Sequence, residues 1–280
     1  MMHVPNHRSS SGWRTLWASI AHAWIIAVSA IGMPGHSAAQ SLHFISIAAS
    51  DDATIGEGTA ANASAMADYA ATVANLAGLT LNAVDIRGAQ FTCDAIRGAV
   101  AKIAPGPDDV ILLHYSGHGF VPGDEPKVAA PRTDAGFPWL YCDAPGARPN
   151  LFEVFEELFA KGARMTIVGA DACNVVLPGV GLIDKGAAQR EAIRSMYRDF
   201  RGGITYSSSK RGQYSWYYPS GGIYTGQLLR ALRAPPNVRN PRDLWDASLK
   251  QASRKIRVNS ADGPVEQTPI FALRQLEYVR

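Results

Sequence analysis

Val110-Ile111-Leu112-Leu113-His114-Tyr115-Ser116-Gly117-His118-Gly119 decides how this chain is read. Four consecutive aliphatic residues predict a strand covered on both faces, as in the interior of a parallel sheet. Ser-Gly-His-Gly then predicts a turn at the strand's carboxyl end. A second stretch has the same form: Met165-Thr166-Ile167-Val168 leads into Gly169-Ala170-Asp171-Ala172-Cys173-Asn174, with Cys173 lying 55 residues after His118. A His and a Cys delivered to one edge of one sheet form a nucleophile–base pair. The thiolate attacks, and the imidazole takes its proton and returns one to the leaving amine. This predicts a cysteine hydrolase with His118 and Cys173 as catalytic residues. The backbone N–H groups of Gly119 and Cys173 are the expected oxyanion donors.

His114 and His118 cannot both serve one thiol, because four residues of strand span roughly 13 Å. His114 alternates with Val110 and Leu112, so it is expected in the sheet, held by hydrogen bonds. Its spacing from His118 would suit a metal pair only on a helix face, which Ser116-Gly117 opposes. No metal or cofactor is expected.

The surrounding pattern alternates strand and helix. Strands are predicted over 42–48, 79–86, 110–115, 165–170, 203–208 and 269–273, with a short one near Leu140. Helices are predicted over 60–77, 92–104 with Thr92 as cap, 151–161, 187–200, 223–234 and 241–258. That alternation implies an α/β fold, a mainly parallel sheet covered on both faces, with ligands at the carboxyl ends of the strands.

Composition sets the envelope. The 280 residues are 47% hydrophobic and 18% charged, with net charge +3 and no basic tract, so nucleic acid is not an expected partner. Residues 1–39 read as a signal peptide: Arg8 and Arg14, an apolar run from Leu16 to Met33, then Ser37-Ala38-Ala39. An uncleaved anchor is the alternative, and a membrane is a partner only in that case. The expected localisation is exported, periplasmic or secreted. Of Cys93, Cys142 and Cys173, the first two could pair if Cys173 is the nucleophile; three reduced, partly buried thiols are the other reading.

Tyr115-Ser116-Gly117-His118-Gly119 and Asp171-Ala172-Cys173 together resemble the His and Cys boxes of the caspase–metacaspase superfamily. Ser50-Asp51-Asp52 resembles the loop after the first strand of bacterial members. Ser207-Ser208-Ser209 and Gly212-Gln213-Tyr214-Ser215-Trp216 resemble the small-subunit half. The resemblance implies a three-layer caspase-haemoglobinase fold with a six-stranded sheet. It divides residues 40–280, one catalytic domain, into a large-subunit-like half (40–177), an intervening segment (178–200) and a small-subunit-like half (201–280). It implies peptide-bond hydrolysis by a Cys173–His118 dyad on peptide or protein substrates. Asp171, with Asp51 or Asp52, is expected to line the P1 pocket and select Arg or Lys. Lys185, Arg190 and Arg194 fall where related enzymes are cut and are candidates for self-cleavage. Nothing in the sequence indicates calcium activation.

Cys173-Asn174-Val175-Val176 departs from the family, which often has Ser or Gly two places after the Cys. A catalytically inactive caspase-like module that binds peptides or proteins is therefore an alternative, as is an esterase or amidase using the same dyad. Gly56-Glu57-Gly58-Thr59-Ala60-Ala61 also fits a dinucleotide-binding fingerprint, although seven residues separate it from the preceding strand.

Overall fold

The computed structural model describes residues 40–120, 136–143, 148–172, 187–260 and 263–280. The chain enters on β1 (Ser41–Ala48), crosses through α1 (Gly56–Ala77) to β2 (Thr80–Ile86), and returns by α2 (Cys93–Lys102) to β3 (Val110–Gly117). Thr92 caps α2, its hydroxyl accepting from the Ala95 amide at 3.1 Å. The short pair β4 (Gly119–Phe120) and β5 (Trp139–Leu140) follows, then α3 (Leu151–Phe159), opened by an Asn150/Glu153 capping box. Next come β6 (Met165–Ala172), α4 (Ala187–Arg198) and β7 (Phe200–Ser207). The two-residue strands β8 (Tyr217–Tyr218) and β9 (Gly221–Gly222) lead into α5 (Ile223–Arg233) and α6 (Leu244–Ala252). The hairpin β10 (Ile256–Ser260) and β11 (Gly263–Gln267) precedes the edge strand β12 (Ile270–Tyr278).

The main sheet has six strands in the order β12-β7-β6-β3-β1-β2, with β12 antiparallel to β7 and the other pairs parallel. Side-chain alternation divides the core into two clusters. Leu42, Phe44, Leu112, Ile167 and Tyr206 face α1, α4, α5 and α6. Ile45, Ile47, Leu113, Tyr115 and Val168 face α2 and α3. The fold class read from the sequence is the one observed.

Three local readings change. The stretch 241–258 is not one helix. A 3₁₀ turn (Pro241–Asp243) opens α6, which ends at Ala252 with Ser253 as its C-cap, and the chain then extends into β10. There Ile256 and Val258 are buried while Arg257 and Asn259 are exposed, a period of two that overrides the helical reading. Cys93 and Cys142 form a disulfide with Cα atoms 5.2 Å apart, rather than remaining thiols. Gly56 and Gly58 are packing glycines: a Cβ would lie 2.3 Å from the Ser50 carbonyl oxygen and 2.4 Å from that of Tyr218. Residues 49–55 also separate the end of β1 from Gly56, whereas a dinucleotide fingerprint needs its first glycine in the turn directly after the strand, so that reading is not met.

Among the described residues no helix is long and apolar enough to cross a membrane.

Candidate active site

β3 and β6 are paired neighbours, with Ser116 opposite Asp171 and Gly117 opposite Ala172. His118 and Cys173 are the residues that come next on the two strands. Cys173 and Lys185 lie outside the described residues, as do residues 174–176.

His118 is held from several sides. Its Nε2 lies 3.0 Å from Asp52 Oδ2, and both side chains are about three-quarters buried. Its carbonyl accepts from the Tyr141 amide at 2.9 Å and from the Tyr115 hydroxyl at 2.7 Å. The Tyr115 hydroxyl also reaches the Tyr141 carbonyl, at 2.8 Å. The Tyr141 ring meets the imidazole edge-on at 6.0 Å, and the Arg148 guanidinium covers the same ring at 4.0 Å. Gly117 and Gly119 leave room for this packing. A Cβ on Gly117 would sit 2.6 Å from the Tyr115 hydroxyl, and one on Gly119 would sit 2.8 Å from Ala172 Cβ.

Asp52 closes a turn just ahead of α1. Its Oδ1 accepts from the Thr54 amide (2.8 Å), the Thr54 hydroxyl (2.6 Å) and the Ile55 amide (3.1 Å). Partial burial pulls the carboxyl's pKa upward. The hydrogen bonds from Thr54 and Ile55, and the charge of His118, outweigh that and hold it below the ordinary aspartate value. Asp52-Ala53-Thr54 before a helical run is a turn signature visible in the sequence. The contact of Asp52 with His118, 66 residues away, is not.

His114 is in the sheet, as its alternation required. Its Nδ1 lies 3.1 Å from the Tyr206 hydroxyl and its Nε2 lies 3.3 Å from the Thr225 hydroxyl. Burial pushes its pKa down to about 3. Gly169 makes room for this arrangement, since any Cβ there would collide with the Tyr206 ring.

Asp171 does not reach an open cleft. It is 0% exposed. Its carboxylate accepts from the Ser215 hydroxyl (2.7 Å), the Thr225 amide (2.9 Å) and the Thr225 hydroxyl (2.7 Å). Burial pushes its pKa up, against the pull of these bonds. Its backbone carbonyl accepts from the Tyr217 hydroxyl, which also contacts Ser116 Oγ. Asn62 donates to Ser116 Oγ at 2.8 Å and accepts from the Gly222 amide at 2.8 Å. Gln267 donates to Ser215 Oγ at 3.0 Å and accepts from the Trp216 amide at 3.1 Å. These polar residues, none singled out in the sequence for this role, form a buried network under the strand end that leads to Cys173.

Two cavities flank His118 and Gly119. One of about 450 Å³ is lined by Gly119, Phe120, Pro138, Ala172, Arg211 and Tyr214, among others. The other, about 210 Å³, is lined by Asp51, Asp52, Phe91, His118, Tyr141 and Asp143, among others. The structure thus brings His118, Asp52, Asp51, Gly119 and Ala172 to one end of the sheet and keeps Asp171 beneath it. Arg190 and Arg194 lie within α4, whose Ile193, Met196 and Tyr197 are buried. A regular packed helix resists proteolysis, so neither arginine is in the extended backbone that self-cleavage needs.

A mainly parallel six-stranded sheet between two layers of helices, with its antiparallel strand at one edge, defines the class as a three-layer α/β fold. The caspase-domain family model matches residues 57–277, and the chain belongs to that family. It is similar to caspase-1 from Spodoptera frugiperda at 14% identity, with 83% of this chain and 85% of that one covered and a TM-score of 0.50. It is also similar to a protein from Geobacter sulfurreducens at 16% identity, with coverage of 84% and 93% and a TM-score of 0.49. No curated relative matches the chain.

Proposed function

We propose that this chain is an exported cysteine endopeptidase in which Cys173 attacks the scissile carbonyl and His118 moves the proton. The observation that carries this reading is the register of β3 on β6. Gly117 faces Ala172, so the base and the nucleophile follow from paired positions on adjacent strands. His118 lines a cavity, and its main chain is anchored by Tyr115 and Tyr141. Gly119 lies beside Ala172 at the larger cavity, which suits an oxyanion donor there. The Cys93–Cys142 disulfide supports an oxidising compartment, as a signal peptide over residues 1–39 would imply.

The proposed preference is cleavage after Arg or Lys, resting on Asp51, as expected from the sequence, and on Asp143 in place of the buried Asp171. Asp51 and Asp143 put carboxylates around the cavity beside His118, favouring a basic side chain and repelling an acidic one. Asp171, buried and fully engaged, is left to hold the strand end.

Reporter peptides with Arg, Lys or Asp at P1 test both halves. The wild-type chain should turn over the Arg and Lys reporters. Cys173→Ala and His118→Ala should each lose about 10³-fold or more. Turnover of the Asp reporter without the Arg one overturns the specificity. A folded wild type that binds peptides but cleaves none overturns the peptidase reading in favour of a binding module.

A further inference from the structure

The carboxylate of Asp52 is shared between two tasks, and the division is by atom. Oδ1 takes the three donors of its own turn, from Thr54 and Ile55. Oδ2 faces His118 Nε2 at 3.0 Å. Closing the turn therefore uses one oxygen and leaves the other aimed at the imidazole, on an element separate from β3. The other His–Asp pair among the described residues is built differently: Asp109 Oδ2 serves both His43 Nε2 (3.0 Å) and the Gly106 amide (2.8 Å), at the opposite end of the sheet. A carboxylate fixed on one oxygen by three short bonds has little freedom, so its second oxygen sets the orientation and tautomer of whatever ring it meets.

We propose that Asp52 is a positioning residue that holds His118 with its proton on Nε2 and leaves Nδ1 as the proton acceptor, so that the site works as a Cys173–His118–Asp52 triad. This rests on the peptidase reading above and replaces the expected role of Asp52 as a P1-pocket acid. In the proton cycle Nδ1 accepts the thiol proton as the Cys173 sulfur bonds to the carbonyl carbon. The resulting imidazolium keeps its Nε2–H on the carboxylate. The Nδ1 proton then passes to the leaving amine as the C–N bond breaks, and a water regenerates the thiol by the reverse sequence.

Asp52→Asn separates the two tasks. Its amide oxygen can still accept from Thr54 and Ile55, while the amino group cannot accept from Nε2–H. With the full chain, kcat on an Arg-P1 reporter should fall about 10²-fold while KM stays within about twofold. NMR of ¹⁵N-histidine-labelled chain in the Cys173→Ala background, at alkaline pH, should show His118 as the Nε2–H tautomer. Asp52→Asn in that background should shift it toward Nδ1–H, with thermal stability little changed. An unchanged tautomer overturns the proposal. A rise in KM with kcat preserved overturns it in favour of a pocket acid. A fall in stability with kcat per folded molecule preserved overturns it in favour of a purely structural turn. A wild type without peptidase activity sinks the peptidase reading, while the tautomer measurement still decides whether Asp52 sets the ring.

Discussion

Two histidines four residues apart, one inside β3 and one just past its end, meet opposite fates because of what surrounds them. His118 leaves the sheet and meets a carboxylate beside an open cavity. His114 stays inside, between the Tyr206 and Thr225 hydroxyls, with its pKa pushed by burial from 6.5 to about 3. That depression has a defined sign. Between about pH 6.5 and 3 the unfolded chain takes up a proton that the folded chain refuses, so His114 costs stability as pH falls through that window, at up to about 1.4 kcal/mol per unit. Asp52 and Asp109 have lowered values, so the stability they confer is present above 3.8 and is lost only below it. Asp171, linked to His114 through Thr225, is raised and works in the opposite direction. The difference between wild type and His114→Gln, whose amide can still bond Tyr206 and Thr225, isolates the histidine. Urea midpoints at pH 7 and pH 5 should fall for wild type by clearly more than for His114→Gln. Equal falls would mean that His114 is not kept neutral by burial.

The elements divide into those a one-dimensional pattern can specify and those it cannot. Buried strands and the helices between them were legible because continuous aliphatic runs and three- and four-residue spacings report burial locally. Helix α1 starts at Gly56, four residues before the expected Ala60, because its opening glycines are there to pack on Ser50 and Tyr218, a tertiary reason. The β10–β11 hairpin was missed because two alternating apolar residues make a weak strand signal beside a helical run. At the site, His118 and the strand leading to Cys173 were legible, whereas Asp52 as a partner and Asp171 as a buried anchor depend on which elements meet. The disulfide is of the same kind. It joins the first residue of α2 to the residue after Tyr141, and so fastens the segment that clamps His118. Its 49-residue separation corresponds to about 4 kcal/mol of loop-closure stabilisation. Reductant, or Cys93→Ala with Cys142→Ala, should lower the thermal midpoint on the order of 10 °C. A midpoint indifferent to reductant would mean that the bridge holds nothing.

At the scale of the molecule the sheet has one end that carries the proposed site and another that anchors the fold. The carboxyl ends of β1, β3 and β6 carry Asp52, His118 and the lead into Cys173. The amino ends are tied by side chains that do no chemistry there. Arg164 is the main one, only 4% exposed. Its guanidinium donates to the carbonyls of Tyr197 (2.6 Å), Arg198 (2.9 Å) and Phe200 (3.1 Å), and its Nε to that of Asp108 (3.1 Å). One cation thus stitches the end of α4 and the start of β7 to the turn before β3. An eight-residue strand separates the two ends by roughly 26 Å, so a defect at one need not displace groups at the other. Arg164→Met keeps the apolar stem and strips the donors, leaving four carbonyls each short of a partner, at a cost of roughly 1–3 kcal/mol for any that stays buried and unpaired. The variant should unfold at clearly lower denaturant yet keep the wild-type kcat per folded molecule at low temperature. Asp52→Asn should do the reverse. If Arg164→Met lost kcat in the folded fraction, the two ends would be coupled through the strands, and the separation of anchoring from catalysis would fail.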